Sequence, residues 1–151
     1  MKRNLTLLAA CTLVIGLIAA GCGSSNDNTT STSNLTKTEW IAKADAICKA
    51  GNDEISNAGK QQFGKQKVSQ AQLNDFATGT IIPSIQRQVD QIKALGAPSG
   101  SEGQVNALLD AVQADIDKVK ADPTLVTGNS DPFADANKLA TDYGLKVCGK
   151  G

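Results

Sequence analysis

Apolar residues fall along this chain in one unbroken block, then a polar gap, then four spaced stripes. The block runs from Leu5 to Ala20 as LTLLAACTLVIGLIAA. The gap, GSSNDNTTSTSNL over 23–35, is almost wholly small and polar. From Thr36 onward, apolar residues recur at three- and four-residue steps, the spacing of a helix with one buried face. Trp40, Ala44, Ile47, Cys48, Gly51, Ile55 and Ala58 mark a first helix over about 37–62, opened by the capping-box pattern Thr36-Lys37-Thr38-Glu39. Glu39–Lys43 and Asp45–Lys49 are expected as surface pairs one turn apart on its other side.

Ser69 and Gln72 offer a second capping box. Leu73, Phe76, Ala77, Thr80, Ile85, Val89, Ile92 and Leu95 then predict a helix over about 70–95. Pro83 lies within it and Gly79 four residues earlier, so a kink is expected near 79–82, where a proline removes a helical hydrogen bond and crowds the carbonyl of residue 79. Ser101 and Gln104 open a third helix, with Val105, Leu108, Leu109, Val112, Ile116 and Val119 as its stripe and Asp122-Pro123 as its end. A loop follows over 123–130. Asp131-Pro132 reads as an N-cap with proline in first helical position, and Phe133, Ala136, Leu139, Ala140 and Tyr143 as a short fourth helix ending at Gly144. No segment alternates apolar and polar residues over strand length. The expected fold is all-α, a small bundle of about four helices with the second one kinked.

The leading block is short for a membrane span. It follows Lys2 and Arg3 and ends in small residues, as a signal peptide does. Its end, Ile18-Ala19-Ala20-Gly21-Cys22, resembles the lipobox of bacterial lipoproteins, with Ala19 where leucine is commonest. The resemblance implies cleavage before Cys22 by signal peptidase II and a diacylglycerol thioether on its sulfur. Each buried lipid methylene would add about 0.8 kcal/mol of membrane affinity. The polar stretch behind it is too poor in apolar side chains to fold and is expected to be a disordered spacer. The expected organisation is signal peptide 1–21, lipidated cysteine and spacer 22–35, and helical domain 36–151. That places the domain outside the cytoplasm, anchored to the cell membrane through lipid.

Four cysteines divide accordingly. Cys11 leaves with the leader and Cys22 is the lipid site, so Cys48 and Cys148 remain. In an oxidising compartment an even pair points to a disulfide. Closing so long a loop would stabilise the domain by up to about 4–5 kcal/mol. A catalytic redox pair would want a Cys-x-x-Cys motif or a cationic setting, and lone Lys49 and Lys146 are weak support for one.

Removing residues 1–21 takes away Lys2 and Arg3, which leaves 13 basic against 15 acidic side chains. Such a domain has no electrostatic footprint for nucleic acid. It contains no histidine, the commonest general base and metal ligand. Serine hydrolysis lacks both that base and a Gly-x-Ser-x-Gly turn. Gly59-Lys60 and Gly64-Lys65 lack the frame of a phosphate loop. Asp110, Asp115, Asp117 and Asp122 on the third helix could form a carboxylate site. Without a histidine partner they read better as a solvated face, with Asp115–Lys118 and Asp117–Lys120 as surface pairs. The loop Thr127-Gly128-Asn129-Ser130-Asp131 with Asp135 is rich in oxygen but lacks the ligand spacing of a calcium loop. Tyr143 could ligate a haem iron. A lone tyrosine on a helical stripe is more often core with its hydroxyl at the rim, and Trp40 reads as core too. No catalytic residue, metal or cofactor is therefore assigned.

The stretches Thr38-Glu39-Trp40-Ile41-Ala42-Lys43-Ala44-Asp45-Ala46-Ile47-Cys48 and Asp131-Pro132-Phe133 through Tyr143-Gly144-Leu145-Lys146-Val147-Cys148-Gly149 resemble a group of small bacterial lipoproteins without an assigned activity. That likeness covers about 36–149 and implies the Cys48–Cys148 pairing and a helical domain. The leading expectation is a non-enzymatic binding or interaction module of the envelope, with membrane lipid as partner through Cys22 and an envelope protein or small molecule as further partner. The alternative is a carrier of a small ligand, a lipid or haem, in a cavity where Gly79 and Pro83 break the second helix. An enzyme using the third-helix aspartates comes last.

Overall fold

The structure, a computed structural model, describes residues 32–128 and 131–150. The expected leader, Cys22 and most of the spacer lie outside the described residues. Within them the chain is a helical bundle. Helix α1 spans Lys37–Phe63, and Thr36 and Glu39 close the capping box on each other's backbone N–H groups. Helix α2, Gln70–Phe76, begins with the matching Ser69–Gln72 box. It runs through a π-helical turn, Ala77–Ile81, into α3, Ile82–Ala94. These three pieces form the one kinked helix expected over 70–95. Helix α4 is Glu102–Ala121 and α5 is Ala134–Tyr143, with a 3₁₀ turn over Pro123–Thr127 between them.

Pro83 explains the π turn. It has no N–H to offer the carbonyl four residues back. The ladder slips by one residue just before it, so that the Ile82 N–H reaches the carbonyl of Ala77. Gly79 itself is exposed, and a methyl group there would touch nothing.

Helix α3 packs between α1 and α4, and α5 lies on α4. Ser84, almost fully buried, donates to the Glu54 carboxylate of α1, which also holds Arg87 at 2.5 Å. The Gln86 and Gln113 amides pair across α3 and α4. The predicted stripes supply the core. Trp40, Ala44, Val105, Ile116 and Val119 are completely buried, with Cys48, Val89, Ile92 and Tyr143 close to it. Ile82, Ser84 and Gln88 join them, Ser84 and Gln88 as the flank of the same face that carries Ile85, Val89 and Ile92. Leu139, expected on the α5 stripe, is exposed instead.

Thr32–Ser33 pairs in parallel with Ala97–Pro98, and Leu35 packs on the core. The starts of the last two helices differ in detail from expectation. Ser101 is the N-cap residue of α4, as expected, but its side chain makes no capping bond. Asp131 is not the α5 N-cap. The helix starts at Ala134, and the Asp131 carboxylate forms a turn by accepting from the Phe133 N–H at 2.8 Å and the Asn137 amide at 2.9 Å.

Cys48 and Cys148 are joined, with Cα atoms 5.2 Å apart. The bond fastens the last turn of the chain to the middle of α1. Among the described residues no helix is long and apolar enough to cross a membrane.

Candidate functional site

The packing of α1 changes character along its length. At its N-terminal end Trp40 meets Tyr143 edge to face, ring centroids 5.4 Å apart, and the Lys37 ammonium lies 4.2 Å over the tyrosine ring. One turn on, the Asp45 carboxylate accepts backbone N–H bonds from Lys146, Val147 and Cys148 at 2.9–3.3 Å. Three donors at the end of the chain thus converge on one anion, beside the disulfide. Gly144 makes the approach possible: at φ 114° it ends α5 and lets the Leu145 N–H return to the Ala140 carbonyl. The expected Asp45–Lys49 pair is replaced, and Lys49 binds Asp53 at 2.6 Å. Glu39 likewise makes its hydrogen bonds to the Thr36 cap, with Lys43 acting on it only through its charge.

Beyond Cys48 the bundle does not close. A cleft of about 750 Å³ opens between α1, α3, α4 and α5. Its walls are largely aliphatic: Ile55 from α1, Ile85, Val89 and Ile92 from α3, Leu108, Leu109 and Val112 from α4. Phe133, Ala136 and Ala140 line the α5 side, and the disulfide forms part of the boundary with the closed end. Polar groups stand at its edges, Asn52 and Ser56 on one side and Asp131, Asn137 and Lys150 on another, all but Asn137 exposed. This size lies inside the range of about 300–1,000 Å³ typical of small-molecule sites, and mostly apolar walls with few polar groups are their usual chemistry. Small residues create the space. Ala136 and Ala140 face it where larger side chains would fill it.

Gln88 also lines the cleft. It is 9% exposed, and its Nε2 is buried without a hydrogen-bond partner. The amide lies over Gly51, where any side-chain carbon would collide with it. A buried donor left unmade costs about 1–3 kcal/mol. Trp40 Nε1 and Tyr143 Oη are buried and unpartnered too, at the closed end.

The other sequence candidates do not assemble. Asp115 is buried and held by Lys118 at 2.8 Å, a bond that raises the lysine above its ordinary range. Asp117 meets Lys120 and the Gln113 amide. Asp122 caps the 3₁₀ turn through the Thr124 N–H and hydroxyl, and Asp110 is exposed. Among the described residues no acidic or cysteine cluster comes together that could hold a metal ion. The oxygen-rich loop includes residues 129–130, which lie outside those described, and the Asp131 oxygens are already occupied. Tyr143 does not line the cleft, and its hydroxyl is enclosed, not at the rim as expected. Gly79 and Pro83 do not line it either. Ile81 and Ile85, on each side of Pro83, do.

Sequence reasoning named most of the aliphatic walls as core but missed Gln88 and the role of Asp45. The one signal for Gln88 was its spacing, three residues after Ile85 and four before Ile92, which puts it on their face. Comparison with protein-family models, with curated proteins and with solved structures returns no match for this chain.

Proposed function

We propose that this chain is a lipid-anchored extracytoplasmic protein whose helical domain carries an apolar ligand, a lipid, in the cleft beside the disulfide. The aliphatic cleft carries this reading. An open volume of this size in so small a bundle leaves apolar side chains without packing partners, and an apolar ligand would supply them. A lipid needs only such walls. A haem would need an axial ligand, and Tyr143, the side chain suggested for it, meets Trp40 edge to face and does not line the cleft. The anchor reading rests on the lipobox-like Ile18-Ala19-Ala20-Gly21-Cys22. It puts the cleft within reach of a membrane, where a carrier collects or delivers its cargo.

The test is uptake of a neutral apolar fluorophore, N-phenyl-1-naphthylamine, by the delipidated chain in detergent-free buffer. Saturable enhancement of its emission is expected. Val112→Trp, which fills the cleft from α4, is expected to abolish the enhancement without unfolding the protein. Equal enhancement in both chains would place the fluorophore elsewhere and overturn the reading. Loss of membrane association in Cys22→Ser tests the anchor separately.

A further inference from the structure

Among the described residues, Gln88 is the one cleft-lining side chain that is both nine-tenths buried and short of a hydrogen-bond partner. The other residues of α3 that line the cleft, Ile85, Val89 and Ile92, are all aliphatic. A glutamine in that row is costly unless something accepts from it, because a buried amide donor loses its water and gains nothing in return. Among the described residues nothing accepts from its Nε2. The side chain lies over Gly51, the position on α1 that has no side chain to displace it. Its amide is packed on the α1 backbone at the cleft wall, so meeting a ligand requires a turn about its terminal side-chain bonds.

We infer that Gln88 is a recognition residue, and that the cargo is an aliphatic chain bearing one uncharged hydrogen-bond acceptor, the carbonyl of an esterified acyl chain or a ketone. This deepens the carrier reading and rests on it. The acceptor is uncharged because Gln88 offers a neutral donor, while the charged side chains of the cleft, Asp131 and Lys150, stand exposed at its edge. A carboxylate brought to Gln88 would be buried without a countercharge, at a cost that a neutral carbonyl avoids. A plain hydrocarbon would leave the amide unmade.

The experiment displaces bound N-phenyl-1-naphthylamine from the delipidated full-length chain with two ligands of matched length, 2-dodecanone and 1-dodecene. The wild-type chain is expected to prefer the ketone by about tenfold, the gain of one buried hydrogen bond. In Gln88→Met, which keeps length and loses the donor, the preference is expected to fall to less than about twofold, with alkene affinity retained. Gln88→Leu gives the same comparison should the methionine chain fold poorly. Equal affinity for both ligands in the wild-type chain, or a preference unchanged by either substitution, overturns the role of Gln88 and leaves the cleft a carrier site. Failure of both ligands to displace the fluorophore from the wild-type chain overturns the carrier reading and this inference with it.

Discussion

One helix, α1, serves two unlike regions. Its first three turns face a closed end, where Trp40 and Ala44 are fully buried, Tyr143 meets the indole edge to face, and Asp45 gathers three backbone N–H groups. Its later turns face the cleft, where the same three- and four-residue spacing of Cys48 and Ile55 meets open volume. The periodic stripe is similar in both. The size of what stands opposite differs: a tyrosine and a folded-back chain end in one region, Ala136 and Ala140 in the other. A helical stripe thus specifies that a face is buried, and the partner residues decide whether the burial is complete.

This contrast can be broken at either end. Trp40→Ala removes the largest side chain of the closed end and is expected to destabilise the fold by about 3–5 kcal/mol in denaturant unfolding. Val112→Trp adds comparable bulk on the cleft side and should change stability by less than about 1 kcal/mol, since it meets open space and avoids the usual overpacking penalty. Similar losses from both would mean that the cleft is as tightly packed as the closed end. Next in size, Asp45→Ala leaves three N–H groups of the last turn without their acceptor. It is expected to cost about 2 kcal/mol and to make the disulfide easier to reduce, measured by unfolding with thiol present and absent.

The smallest effect sits at the entrance to α1. Hydrogen bonds from the Thr36 hydroxyl and backbone hold the Glu39 carboxyl below its ordinary 4.5. A carboxylate with a lowered folded value stabilises the fold above its unfolded value, and that contribution is lost as pH falls through the folded one. The melting temperature should therefore decline as pH drops below about 4.5, and Glu39→Gln, which keeps the capping pattern without the charge, should reduce that part of the decline. An identical acid profile in both chains would remove Glu39 from the account.

Much of this architecture is legible in the residues. Capping boxes at Thr36 and Ser69, the stripes of α1 and α4 and the end at Gly144 follow from local patterns that tertiary contacts reinforce, and the Cys48–Cys148 bond from the count of cysteines left to the domain. The kink was legible from Pro83, though its form, a one-residue slip into a π turn, depends on which carbonyl the ladder leaves out. Asp45 was not legible as the clasp of the chain end. An aspartate four residues before a lysine reads as a surface pair, and its true partners lie about a hundred residues away. Gln88 was missed for a related reason: a polar residue between aliphatic ones on a helix reads as solvent-facing until the helices are placed around it. The cleft is a property of four faces that fail to fill a space, and no single stripe records that.

The account stands most directly on what the cleft holds in its own host. Native mass spectrometry of the chain purified from that host, followed by the same measurement after denaturation, reads this in one step. A bound mass that survives native conditions, vanishes on denaturation and fragments as an ester- or ketone-bearing aliphatic lipid is the expected result. A chain that remains bare under native conditions, and stays bare after incubation with such lipids, would contradict the carrier reading.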